Sequence, residues 1–331
     1  MSRAAASIHS ALNDPRIIRA VVLFVSAGVL LYLSAIFWFG WKETVAALSS
    51  IGLDIIVAGA LLSSTSYLWR FGRWESSLRR FGEQIPLERH LAIYLSGLGL
   101  TATPGKSGET FRSALLLQHG VRVPRSLAAF IVDRASDVLG MCLLGLVAAW
   151  MAGQVLAWAW LSAFTALLLS SCTVAHLLRQ PSKGGGGSKS RAWQRLPLKG
   201  GQAILESWAS LWKVPRVAGY SILAAIAYGT QALVFAWFCA AAGTGVPPAT
   251  CVLIFVQATL FGAATLLPGG LGAMEAALAI QLTRCGVDSG VAVSMAIAIR
   301  LVTLWLGMAI GALSLLVSSR AIRDNKAQPS E

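Results

Sequence analysis

The stretch Thr101–Arg112, TATPGKSGETFR, decides how the chain is read. It sets Lys106, Glu109 and Arg112 directly behind an apolar run, HLAIYLSGLGL (residues 90–100), with Pro104, Gly105 and Gly108 at the junction. Proline lacks the N–H that a helix interior needs, and glycine admits left-handed backbone, so a helix entering this stretch stops there. Charges placed behind an interrupted apolar run need either water or buried partners.

The surrounding composition says which environment they meet. The 331 residues are 56% hydrophobic and only 12% charged, with a mean hydropathy of +0.67. Soluble domains carry about 25% charged residues. The chain therefore reads as an all-α polytopic membrane protein and a single transmembrane domain over 1–331. Its net charge of +13 lies in segments between apolar runs, which marks membrane topology and not nucleic-acid binding. The five cysteines are scattered without a CxxC pair, and His9, His90, His119 and His176 are far apart, so no metal site or cofactor is expected. No P-loop, nucleophile elbow or HExxH is present, and any transport would be passive, ion-coupled or driven by product trapping.

A crossing helix needs about 20 apolar residues. Six runs qualify, at residues 17–40, 51–69, 126–150, 155–178, 216–242 and 290–318. The segment 70–89 is basic and aromatic and reads as interfacial or cytoplasmic. Residues 179–215 read as a cytoplasmic linker containing KGGGGSK (183–189) and an amphipathic helix, GQAILESWASLWK (201–213). Ile204, Leu205, Trp208, Leu211 and Trp212 share one face of that helix, which suits either a membrane surface or the protein's own loops.

The opening stretch has a second copy. PGKSGE (104–109) is matched by PGGLGAME (268–275), and each follows a short apolar run. Glu109 to Arg134 and Glu275 to Arg300 span the same 25 residues, and Gly120 and Gly286 each lie 11 residues after their glutamate. The chain thus contains a duplication, with a first repeat over 51–150 and a second over 216–318. Arg3, Arg16, Arg19, Arg70, Arg73, Arg79, Arg80, Arg89, residues 179–216 and the basic tail fall on the cytoplasmic side by the positive-inside rule. That pattern closes only if both broken segments are re-entrant helical hairpins. One then enters from each side, in an inverted repeat, with both termini cytoplasmic. Non-helical backbone at membrane depth is tolerated where it is buried in protein or lines a wet cavity, so the Pro-Gly breaks predict a central cavity.

The ionisable residues near that cavity are Lys106, Glu109, Arg112, Asp133, Arg134, Asp137, Glu275 and Arg300. Buried charge is costly in a membrane and is paired or functional. Two compatible readings stand. Glu109–Arg134 and Glu275–Arg300 are ion pairs that tie each hairpin to its long span, or the arginines and Lys106 bind an anion. Asp133 and Asp137 are either coupling-ion sites or counter-charges to a nearby cation. The glycines Gly105, Gly108, Gly269, Gly270 and Gly272, with Pro104 and Pro268, form the hairpin turns, where helix starts offer N–H groups to an anion.

PGKSGETFRSALLLQHGV, AAFIVDRASDVLG and LLPGGLGAMEAAL resemble the signature segments of the lysylphosphatidylglycerol synthase transmembrane-region family. The resemblance covers roughly residues 17–318. It implies a flippase-like protein of a bacterial or archaeal cytoplasmic (inner) membrane, here without the family's soluble synthase domain. The implied partners are an anionic lipid, either a phospholipid or a polyprenyl-phosphate-linked lipid, and the bilayer itself. Two other functions stand beside lipid transport. One is an accessory subunit of a cell-envelope synthase or glycosyltransferase, docking through residues 202–213. The other, less favoured, is a lipid-phosphate group-transfer enzyme with a glutamate as base, and for it no convincing nucleophile is present. Homo-oligomerisation is open.

Overall fold

A computed structural model describes residues 45, 49, 51–101, 111–117, 119–155, 157–179 and 201–315. The first expected span, the Pro104–Glu109 turn and the KGGGGSK run lie outside the described residues. All regular structure among the described residues is helical. The helices are α1 (Leu53–Arg79), α2 (Leu87–Leu98), α3 (Phe111–Leu117), α4 (Val123–Met151) and α5 (Ala157–Arg179). They continue with α6 (Gly201–Leu211), α7 (Val214–Ala241), α8 (Pro248–Ala264), α9 (Ala273–Arg284) and α10 (Ser289–Arg300). α10 passes through a π-turn, Leu301–Trp305, and the apolar helix runs on to Leu315.

Three helices among the described residues are long and apolar enough to cross a membrane: α5, α7 and Ser289–Leu315. α1 and α4 have the length, 27 and 29 residues, or roughly 40 Å at about 1.5 Å per residue. They differ by carrying charge in their interiors. α8 and α9 have 17 and 12 residues, shorter than a hydrocarbon core of about 30 Å demands.

α4 and α7 form the central pair, and α1 packs along both. Close approach depends on Gly140, where an added Cβ would sit 2.5 Å from Ala224 Cβ and 2.8 Å from the Ser221 carbonyl. α5 and α6 flank α4. The α6 face predicted to be apolar rests on protein: Trp208, Leu211 and Trp212 are buried with Ala128, Val132 and Ala175. On the other flank α8 and α10 pack on α7, α9 packs on α8 and α10, and all four share a core. α5 stands apart, with 6% of its apolar window buried.

The segment expected to leave the membrane after residue 69 does not leave the helix. α1 runs to Arg79, and Arg70, Arg73, Trp74 and Glu75 are buried. Ser63, Ser66, Arg70, Arg73 and Ser77, spaced alternately by three and four, make a buried polar stripe along it. Arg70 and Arg73 are therefore interior groups and not loop cations.

The two copies share a local geometry. Gly120 (φ 83°) and Gly286 (φ 88°) both turn left-handed. The next residue donates back five positions in each, Val121 N–H to Leu116 O and Val287 N–H to Leu282 O, both at 3.2 Å. This is the Schellman closure. α4 and α10 then begin three residues after each glycine.

Gly140→Val is expected to destabilise the protein by about 1–3 kcal/mol through overpacking, read as a lower unfolding temperature in detergent. Gly219→Ala is the control, since a Cβ there meets nothing within 4 Å, and it should be neutral or stabilising.

Candidate functional site

The polar stripe of α1 meets acidic residues one turn apart on α4. Arg73 Nε donates to Asp133 at 2.8 Å and its Nη2 donates to Asp137 at 2.7 Å. Both sites are almost wholly buried, with side chains 1–4% exposed. Asp137 also receives Arg134 Nη2 at 3.1 Å and the Tyr228 hydroxyl at 3.3 Å. Asp137 is thus a counter-charge shared by two arginines, and Asp133 is one for Arg73. Below them Arg70 lies over the Tyr228 ring, 4.3 Å from its centre. Its Nη2 reaches Gln231 Oε1 at 3.5 Å, and Gln231 Nε2 donates to Ser66 Oγ at 3.0 Å.

The second hairpin closes on itself. Leu266 (φ 54°) is the one described non-glycine residue in the left-handed region, and Gly269, Gly270 and Gly272 share that sign of φ. A Cβ on Gly270 would lie 3.2 Å from the Gly262 carbonyl oxygen, so the returning chain touches α8 backbone. Arg300 pins this tip from α10. Its Nε donates to Glu275 Oε1 at 2.8 Å, its Nη2 to the Gly269 carbonyl at 2.6 Å, and its Nη1 contacts Met274 Sδ at 3.5 Å. Immediately after Arg300 the π-turn begins, and the Tyr67 hydroxyl donates to the Thr303 carbonyl at 2.7 Å. π-turns leave a carbonyl without its usual helical partner, and here α1 supplies one.

These groups line one cavity of about 350 Å³. Tyr67, Arg70, Arg134, Asp137, Tyr228, Gln231 and Arg300 provide its polar wall. Leu98, Met141, Phe255 and Leu304 provide apolar wall, and Leu266 and Leu267 stand at its edge, 66% and 45% exposed. Thr101, where the first apolar run ends, is also a lining residue. The cavity is amphipathic: guanidinium and hydroxyl groups inside, exposed aliphatic side chains at the hairpin tip.

The sequence-predicted residues divide accordingly. Arg134, Asp137, Gly269, Gly270 and Arg300 meet at the cavity. Glu275 reaches it through Arg300, and Pro268 and Gly272 shape the tip. Arg112 goes elsewhere. It is fully buried over the rings of Tyr94 and Trp74, at 4.1 and 5.4 Å, and its Nε donates to the Tyr94 carbonyl. Gly97 makes the room, since a Cβ there would fall 2.1 Å from that Nε. Pro104, Gly105, Lys106, Gly108 and Glu109 lie outside the described residues.

Beside Arg112 sits a second buried cluster. Trp74 Nε1 donates to His90 Nε2 at 2.9 Å, so that nitrogen accepts and Nδ1 carries its hydrogen toward Glu75, which also holds Arg79 at 2.5 Å. Among the described residues no three His, Cys, Asp or Glu side chains gather as a metal site.

Sequence reasoning missed Tyr67, Arg70, Arg73, Tyr228 and Gln231. The signals were present: a polar stripe at three-four spacing in α1, and two polar residues three apart in the apolar α7.

The fold and site define a helical membrane protein with a broken hairpin built around buried arginine–carboxylate pairs. The chain matches the family described as lysylphosphatidylglycerol synthase TM region over residues 23–311, and it belongs to that family. Comparison with curated proteins gives no match.

Arg73→Met leaves Asp133 and Asp137 without their main counter-charge and is expected to cost about 3–5 kcal/mol. Combining it with Asp133→Asn and Asp137→Asn should recover much of that loss. Chemical unfolding of the single and triple variants in detergent checks the non-additivity, and equal losses would refute the pairing.

Proposed function

We propose that the protein moves an anionic lipid, a phospholipid or a polyprenyl-phosphate-linked lipid, between the leaflets of a cytoplasmic membrane. The observation that carries this reading is the amphipathic cavity at the second hairpin. An amphipathic lipid needs a polar path for its headgroup and an apolar side for its chains. Arg70, Arg134 and Arg300 supply positive charge inside, while Leu266 and Leu267 are exposed at the edge. Membership of a family named for a lipid synthase's membrane region supports the same substrate class.

In this reading the two Pro-Gly hairpins are re-entrant, enter from opposite faces and meet at the cavity. Rocking of one repeat against the other exposes the headgroup site to each leaflet in turn. The Glu275–Arg300 pair holds the second tip in its resting position, and a lipid phosphate competes with Glu275 for the arginine. The accessory-subunit reading takes residues 202–213 as its docking surface. The apolar face of that segment is covered by α4 and α5, so docking there would have to use its polar face.

The test is leaflet exchange of fluorescent phosphatidylglycerol in reconstituted vesicles. The informative variant is the double change Glu275→Gln with Arg300→Gln, which removes the pair without stranding either charge. Exchange should fall about tenfold or more while the protein stays folded. A folded wild type that exchanges no anionic lipid would end the transporter reading and return weight to an accessory role.

A further inference from the structure

We propose that Arg70 is a further anion-holding group of the cavity, the one that receives an anion while the Glu275–Arg300 pair is closed, and that its ligand is the phosphate of a phospholipid headgroup or a free oxyanion of the same chemistry. The lipid as source rests on the transporter reading; the binding of phosphate to Arg70 does not.

The arginines at and beside the cavity are not alike. Arg73, Arg134 and Arg300 each hold a carboxylate within 3.1 Å. Arg70 holds none among the described residues. Its residue exposure is 9%, and among the described residues its Nε has no hydrogen-bond partner and its side-chain hydrogen bond is the long 3.5 Å reach to Gln231. The Tyr228 ring at 4.3 Å covers one face of the guanidinium, and a π-face does not occupy the N–H edge. A guanidinium carries five donors in a planar fork, and that fork matches phosphate oxygens two at a time.

A buried cation that bonds no carboxylate of its own is an unfavourable arrangement in a protein interior, and Asp137, whose charge Arg70 feels across the cavity, is already bonded to Arg73 and Arg134. Arg70 lines a cavity large enough for a headgroup. Gln231 is held by Ser66 through its amide nitrogen, which leaves its oxygen turned to Arg70. The pair Tyr228 and Gln231 therefore positions the fork without neutralising it. Arg300, by contrast, is engaged on three sides by the hairpin tip. Arg70 is the group that gains most from an incoming oxyanion.

The test uses the full chain in detergent, titrated with dioleoyl phosphatidylglycerol, with dioleoylglycerol as the phosphate-free control and with inorganic phosphate. Two variants separate the site from the fold. Arg70→Met removes the cation, and Gln231→Glu sets a carboxylate at the 3.5 Å contact as a built-in competitor. Both are expected to weaken phosphatidylglycerol binding about tenfold or more, and dioleoylglycerol should bind neither wild type nor variants at this site. Arg70→Met should stay folded, because Arg70 bonds no carboxylate among the described residues. If that variant fails to fold, Gln231→Glu carries the test alone. Phosphatidylglycerol bound at wild-type strength by the folded variants would overturn the assignment. Phosphate that binds through Arg70 when phosphatidylglycerol does not would uphold the anion site and refute the lipid source.

Discussion

Arg73 held between Asp133 and Asp137 is the contact on which the rest of the architecture depends. It joins α1 to α4 by two charge-assisted bonds of 2.8 and 2.7 Å in a nearly water-free interior. Separating the helices would strand three charges at once, which a low-dielectric medium penalises far more than the loss of any one apolar contact. The joint also fixes the rotation of α1. With Arg73 inward, Ser63, Ser66, Arg70 and Ser77 follow inward by helical periodicity, and Tyr67 and Arg70 are brought to the cavity wall.

From that fixed wall the second hairpin takes its position. Glycine and a left-handed leucine let the chain reverse within a few residues, and Arg300 ties the reversal to α10 through one carboxylate and one carbonyl. The cost of the left-handed leucine, about 1 kcal/mol, is small beside those bonds. The π-turn that follows lets α10 present its Thr303 carbonyl to Tyr67 of α1. Hairpin, long helix and polar stripe are thereby linked through two consecutive turns of α10.

Much of this was legible in the sequence. Hydropathy located α4, α5, α7 and the last span to within a few residues, because an apolar run has one meaning at membrane length. The Glu275–Arg300 pair was legible because the duplication repeated its spacing. The continuation of α1 to Arg79 was not, because arginines near the end of an apolar run normally mark a loop. Here the partners of Arg73 lie on α4, 60 and 64 residues away, and Arg70 reaches Gln231 on α7, 161 residues away, and no local pattern announces contacts of that separation. That Arg112 stands apart from the cavity was hidden for a related reason. Its partners Tyr94 and Trp74 lie on two other helices, and a buried arginine stacked on aromatic rings looks in sequence like any other intramembrane charge.

α5 gives the family frame a different kind of meaning. Unlike α7, whose Ala224 lies against Gly140, α5 touches little beyond α4 and α6 among the described helices. Trp158, Leu161, Leu167, Leu169, Val174 and Leu177 all point away from the protein. A bilayer solvates such a helix along most of its circumference and asks only that it be apolar. Its sequence is thus free to drift among aliphatic residues over generations, while a single methylene at the α4–α7 crossing is not. Divergence between relatives should accumulate first along α5, the strip of the molecule that answers to lipid and not to its own chain.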